Sequence, residues 1–165
     1  MKTDWNDQAK AVCGACGGRC CIGACPPLSS ERIAIILSRG DYRDSIEQNG
    51  YRRLKTNDDG SCSQLCEGRC RIHAFKPETC TAGPFTFAKT GQMLEIFLKW
   101  ESVCPLVRFL KADRDMYAMQ YRRAVDQLSH LVASLPSDEL EIISRIPEPE
   151  TDLVAVIPLA EVRSF

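Results

Sequence analysis

Residues 13–25 read CGACGGRCCIGAC, five cysteines and four glycines in thirteen positions. So dense a run of thiols needs a specific cause, and that cause decides what organises the fold. Ten cysteines in 165 residues, about 6%, fall short of a disulfide mini-scaffold yet exceed ordinary usage. The chain is long enough to bury a core of its own, so small size does not explain them. Disulfides would require an oxidising compartment. The opening MKTDWNDQAKAV shows no apolar signal-peptide region and no small-residue cleavage site, which reads as a cytoplasmic start. In a reducing compartment, clustered cysteines bind metal more often than one another.

Outward from this stretch the pattern is CxxCxxxCC at Cys13, Cys16, Cys20 and Cys21, followed by Cys25, Cys62, Cys66, Cys70, Cys80 and Cys104. Close spacing lets a short loop direct several thiolates at one centre, as tetrahedral Zn²⁺ and [4Fe–4S] clusters both require. Neighbouring side chains generally point apart, so Cys20 and Cys21 are expected to serve two different centres. Two four-thiolate centres would use eight of the ten cysteines; one centre with spare thiols is the alternative. Gly14, Gly17, Gly18 and Gly23 can take positive φ and let backbone N–H groups approach sulfur. Arg19, Arg69, Arg71 and Lys76 stand beside the cysteines, where cations offset thiolate charge. His73 follows Cys70 by three, but with thiolates in surplus it is expected to pack beside a ligand, and His130 reads as a helix-face residue.

These residues resemble a known family. The CxxCxxxCC opening, DGSC with Cys62, GRCRIH with Cys70, KPETC with Cys80 followed by GPF, and the late Cys104-Pro105 are similar to the YkgJ-like cysteine-cluster family, described as zinc- or iron-chelating. The resemblance spans roughly residues 13–106. It implies metal binding by Cys13, Cys16, Cys20, Cys21, Cys62, Cys70, Cys80 and Cys104. Cys25 and Cys66 fall outside the family's usual pattern and are candidate extra ligands. Where the family commonly has R-P-x-x-C-R-x-F-P-F, this chain has KPETCTAGPF, so two guanidinium forks are missing around Cys80.

The rest of the chain reads as scaffolding for the cysteines. Ser29 or Ser30 caps a short amphipathic helix that stops at Gly40. DYRDSIEQNG suggests a second short helix ending at Gly50. YRRLKTNDDGSC suggests a strand turning at Asn57–Gly60, and CSQLCEGRCRIH a hairpin about Glu67-Gly68. Pro77 suits a first helical position. PFTFAK and QMLEIFLKW form a hairpin through Thr90-Gly91. From Asp113, Tyr117, Tyr121, Ala124, Leu128, Leu131 and Leu135 recur at helical spacing and mark the longest helix, which Pro136 ends. Ser137 can cap a further helix reaching Ile146, and DLVAVIPL adds a strand that Pro158 confines to an edge. The expected fold is α+β: one domain over 1–165, with a small metal-organised cysteine-rich core and short β-hairpins over 13–106. Helices, including the long C-terminal one, and a last strand over 107–165 brace it.

With 21 basic and 22 acidic residues the net charge is -1, which gives no general field for nucleic acid or an anionic membrane. No apolar run is long enough for a membrane span. Three functions compete. The first is an iron–sulfur protein with one or two [4Fe–4S] clusters in a redox or accessory role, supported by surplus thiols and by the Cys-Pro pairs at 25–26 and 104–105, with an electron-transfer protein as partner. The second is a structural Zn²⁺ module that displays a surface to a protein partner. The third, implied by resemblance to larger flagellin lysine methylases, is a component of a protein-modifying system. No glycine signature for a nucleotide-type cofactor and no Ser/His/Asp arrangement argues for catalysis.

Overall fold

The computed structural model describes residues 4–162. It opens with a helix that sequence reading leaves out, α1 (Trp5–Cys16). The Asp4 side chain accepts the Asn6 N–H at its start, and Gly17 closes it at φ 72. Trp5 is the one buried side chain of this helix, so its sequence carries little amphipathic signal. Cys13 and Cys16 therefore stand on the last turn of a helix, on one face. Gly17, Gly18 and Gly23 do take positive φ, whereas Gly14 is helical and does not.

α2 (Ser30–Arg39) follows the expected pattern: Ser29 Oγ accepts the Arg32 N–H at 3.1 Å, Ile36 is buried, and Gly40 follows the last turn. The helix expected to end at Gly50 does not form. A 3-10 turn, Arg43–Ser45, leads into strand β1 (Ile46–Asn49), which pairs antiparallel with β2 (Tyr51–Leu54). The facing pair Glu47 and Arg53, with Nε–Oε1 at 2.9 Å, secures the register. Pairing with the adjacent strand through the left-handed Gly50 turn outweighs local helix preference here. β3 (Leu65–Cys66) and β4 (Arg69–Cys70) form the expected hairpin, with Glu67 at φ 51 and Gly68 at φ 75 as left-handed turn residues.

After α3 (Glu78–Ala82), which starts one residue beyond Pro77, β5 (Phe85–Thr90) and β6 (Met93–Lys99) form a hairpin. α4 (Leu106–Ala112) precedes the long α5 (Arg114–Ser134), and α6 (Ser137–Ser144) stops short of Ile146, with Pro136 rather than Ser137 in the capping position. β7 (Thr151–Pro158) pairs with β6 as the edge of a three-stranded sheet, and α7 (Leu159–Val162) follows. The α+β expectation holds. On α5, Ala124, Leu128 and Leu131 are fully buried, and the buried Gln120 amide donates to the carbonyls of Thr81 (3.0 Å) and Gly83 (2.8 Å), tying α5 to the end of α3.

The apolar residues form two clusters. The larger joins one face of the sheet (Phe85, Phe87, Leu94, Ile96, Leu98) to α4 and α5; the smaller gathers Leu28, Ile36, Leu54 and Ile72. Cys104 belongs to the first, with Cys13 and Cys25 packed against it. Cys62 belongs to the second, with Cys21 and Cys70 packed against it. The cysteines thus lie along the seam between two cores.

Candidate metal centre

Four pieces of chain deliver the thiols: the end of α1 with the 3-10 turn Arg19–Cys21, the β3–β4 hairpin and its approach, α3, and the turn before α4. Backbone hydrogen bonds join the first two, Gly23 N to Gly60 O at 2.7 Å and Cys62 N to Cys21 O at 2.8 Å. Glycine is needed where they meet. A Cβ at Gly68 would lie 3.3 Å from Gly17 Cα, and one at Gly18 would lie 2.7 Å from a Leu65 methyl carbon. Cys80 sits on α3, and Cys104 donates its N–H to Trp100 O at 3.0 Å.

Cys20 and Cys21 do not diverge. They occupy a 3-10 turn, where strand-like alternation does not apply, and the Cys21 thiol bonds to Cys20. That hydrogen bond, with Lys99 and Lys76 assisting against desolvation, lowers the Cys20 pKa to about 6. The same bond, followed by burial and the Cys20 charge, pushes the Cys21 thiol upward. Burial foremost, then the neighbouring Cys20 charge, raises Cys13. Burial raises Cys80 to about 12, opposed by Lys76, and Cys104 to about 11. Cys62 and Cys70 are raised by the same cause.

Three of these sulfurs share one backbone arrangement. At Cys62, Cys70 and Cys104 the backbone N–H two residues on, at Gln64, Ile72 and Leu106, favours the thiolate and works against burial. N–H groups aimed at sulfur in this way stabilise thiolate ligands and tune the centre they hold. Cys20 and Cys80 are solvent-exposed although protein desolvates both.

All eight cysteines implied by the resemblance feel the charge of at least one other, or impose theirs on one: Cys16 acts on Cys13, Cys80 on Cys21, and Cys104 feels Cys20 and Cys13. Among the described residues, no three His, Cys, Asp or Glu side chains stand close enough, as they are, to hold a single ion. Of the two cysteines outside the pattern, Cys25 acts on Cys62, and its carbonyl is held by the Tyr51 hydroxyl at 2.8 Å. Cys66 instead pairs with the Arg71 guanidinium. His73 is partly buried beside Lys76 and Lys10, and burial lowers its pKa. His130 is exposed on α5 and bonded to Glu31 at 2.9 Å, a helix-face residue as expected.

The cation that reaches most thiols is Lys76, which acts on Cys13, Cys20, Cys70 and Cys80. Sequence reading missed Lys99, which acts on Cys20 and Cys104 from the end of β6. Five residues before Cys104 it carries no local signal; the turn after the strand folds it back. The donor set is all sulfur, with oriented N–H groups and two nearby ammonium groups, and it fits a thiolate-ligated centre.

Residues 12–105, more than half of the chain, match the protein family CxxCxxCC, whose description reads "Putative zinc- or iron-chelating domain". No curated protein and no solved structure matches the chain. Among the described residues, no helix is long and apolar enough to cross a membrane.

Proposed function

We propose that this chain, which belongs to the CxxCxxCC family of zinc- or iron-chelating domains, carries an iron–sulfur centre of the [4Fe–4S] type in a redox or accessory role. Cys13, Cys16, Cys20, Cys21, Cys62, Cys70, Cys80 and Cys104 supply the ligands. The observation that carries this reading is that Cys62 and Cys70 in the β3–β4 region and Cys104 in the turn before α4 each have the backbone N–H two residues on favouring the thiolate. Eight thiols are twice what one four-thiolate centre uses, and this supports two centres. A bound cluster supplies one-electron transfer. The chain's own residues hold its thiolates by N–H donation, and Lys76 and Lys99 offset their charge, which raises the reduction potential. The exposed thiols of Cys20 and Cys80 leave a side for an electron-transfer partner, and the free thiols suit a reducing cytoplasm.

A structural Zn²⁺ site is the second reading, favoured by the tight β3–β4 turn between Cys62 and Cys70, a geometry that suits a zinc knuckle. Anaerobic purification with iron, acid-labile sulfide and zinc analysis plus visible absorption separates the two. Brown protein with stoichiometric iron and sulfide is expected; colourless protein with zinc and no iron refutes the cluster.

A further inference from the structure

Strand β7 is an open edge of the three-stranded sheet. β6 lies on one side of it, and among the described residues no other strand or isolated bridge pairs with it. Its free side presents backbone N–H and C=O groups, which form a template for a further strand. Natural sheets guard such edges with lysine, proline or an inward charge. Between Asp152 and Ile157, β7 reads LVAV and has none of these.

The side chains of this edge are apolar and open to solvent. Leu153, Val154 and Val156 are 54%, 38% and 47% exposed. The bulge sets Ala155 across from Ile96 and Leu153 across from Phe97, which leaves Val154 without a partner on β6. By register Leu153 shares a sheet face with Phe97, and Val156 shares it with Glu95, opposite the face by which Leu94 and Ile96 enter the core. Trp100 continues the apolar surface past the start of the strand. It is half-exposed, its Nε1–H donates to Asp152 Oδ1 at 3.1 Å, and its backbone N–H donates to Glu150 O at 2.9 Å.

The edge is also acidic. From Ile146 to Leu159 the chain carries Glu148, Glu150 and Asp152 and no basic residue, and Glu95 stands across from Val156. Glu148 accepts from the Thr86 hydroxyl and Asp152 from the Trp100 indole, and both donors are neutral. Among the described residues, none of Glu95, Glu148, Glu150 and Asp152 has an ion pair. The register places one cation against β7, Lys99 across from Thr151, and Arg145, just before the acidic stretch, is held by Glu141.

We infer that the β7 edge docks an extended, basic segment of a partner protein, added as a fourth strand, with apolar side chains on Leu153 and Val156 and lysine or arginine toward Glu95, Glu150 and Asp152. Main-chain hydrogen bonds supply affinity in such strand addition, and alternate side chains supply specificity. Charge complementarity selects the occupant. A second copy of this chain would bring another acidic strand to the joint, whereas a basic strand meets opposite charge. The inference stands on β7 and not on the identity of the bound metal.

The test uses the protein as isolated and a short fluorescein-labelled peptide of alternating lysine and valine, read by anisotropy. Peptides of alternating glutamate and valine and of alternating lysine and glycine are run in parallel. The lysine–valine peptide should bind at least tenfold more tightly than either, and should slow amide hydrogen exchange within residues 152–157. Val156→Lys should weaken it about tenfold, through lost apolar contact and added repulsion. Met119→Lys, an equally exposed apolar position on α5, should leave binding unchanged. The inference is overturned if the lysine–valine peptide does not bind, if the lysine–glycine peptide binds as tightly, or if the two lysine variants have equal effects. Sedimentation of the protein alone as a dimer that Val156→Lys dissociates would overturn it too, by giving the edge to a second copy. Iron and zinc contents of the same samples report on the proposed centre separately.

Discussion

Two of the candidate ligand thiols, Cys20 and Cys80, are both exposed but held at opposite ends of the thiol range, at about 6 and about 12. At pH 7 Cys20 is then roughly 90% thiolate, and Cys80 is thiolate in about one molecule in 10⁵. A thiolate of higher pKa is intrinsically more nucleophilic, with a Brønsted slope near 0.4–0.5, so six units of difference return roughly 10²·⁵ to 10³ to Cys80. The net expectation is that iodoacetamide modifies Cys20 about a hundredfold faster. The sign with pH follows from the lowered Cys20 value. The thiolate is present above about 6 and is protonated below it, so moving from pH 7 to pH 5 should slow Cys20 by about tenfold. The assay is timed alkylation of metal-free, reduced protein under anaerobic conditions, with peptides quantified by mass spectrometry. Equal labelling of Cys20 and Cys80 at pH 7, or a Cys20 rate flat between pH 5 and 7, would refute the assigned Cys21-to-Cys20 hydrogen bond and the lysine field behind it.

Three further outcomes are expected. Glu78 is 1% exposed and has Arg32 as its charge partner, with Nε–Oε1 at 3.2 Å and the other carboxylate oxygen unpaired. Arg32→Ala strands that charge and should cost about 3 kcal/mol in urea unfolding, and a loss under 1 kcal/mol would show that the pair is incidental. Gly68→Ala places a Cβ 3.3 Å from Gly17 Cα at φ +75, whereas Gly60→Ala meets nothing within 4 Å at φ +85. Each bears about 1–2 kcal/mol of left-handed strain, so thermal melts should show Gly68→Ala as the worse of the two, and identical melting temperatures would deny the close approach of the hairpin to α1. Cys104→Ser should lower bound metal per chain while Cys66→Ser, whose sulfur serves Arg71, retains it; a Cys66→Ser protein that loses metal makes Cys66 a ligand.

The sequence by itself determined that the chain belongs to a family of zinc- or iron-chelating domains, and much of the local structure. Cysteine spacing marks a thiolate site because ligand chemistry is written in residue type, and the match over residues 12–105 agrees. Ser29, Gly68 and Pro158 fix a cap, a hairpin turn and an edge strand, since each acts through backbone φ or a single hydrogen bond within a few residues. Only the tertiary structure decided what depends on distant neighbours. IEQN became strand β1 by a choice between two local structures, helix and hairpin, that pairing with YRRL across Gly50 settles, with Arg53 facing Glu47. α1 formed because the larger core receives Trp5, with Ala9, Val12 and Cys13 partly buried against it. Cys20 and Cys21 came together because a 3-10 turn, unlike a strand, does not alternate its side chains. Lys99 entered the site because the turn after β6 brings it back toward Cys104. Local chemistry is legible residue by residue, whereas the charge a thiol feels is set by whatever the fold brings within a few ångströms of it.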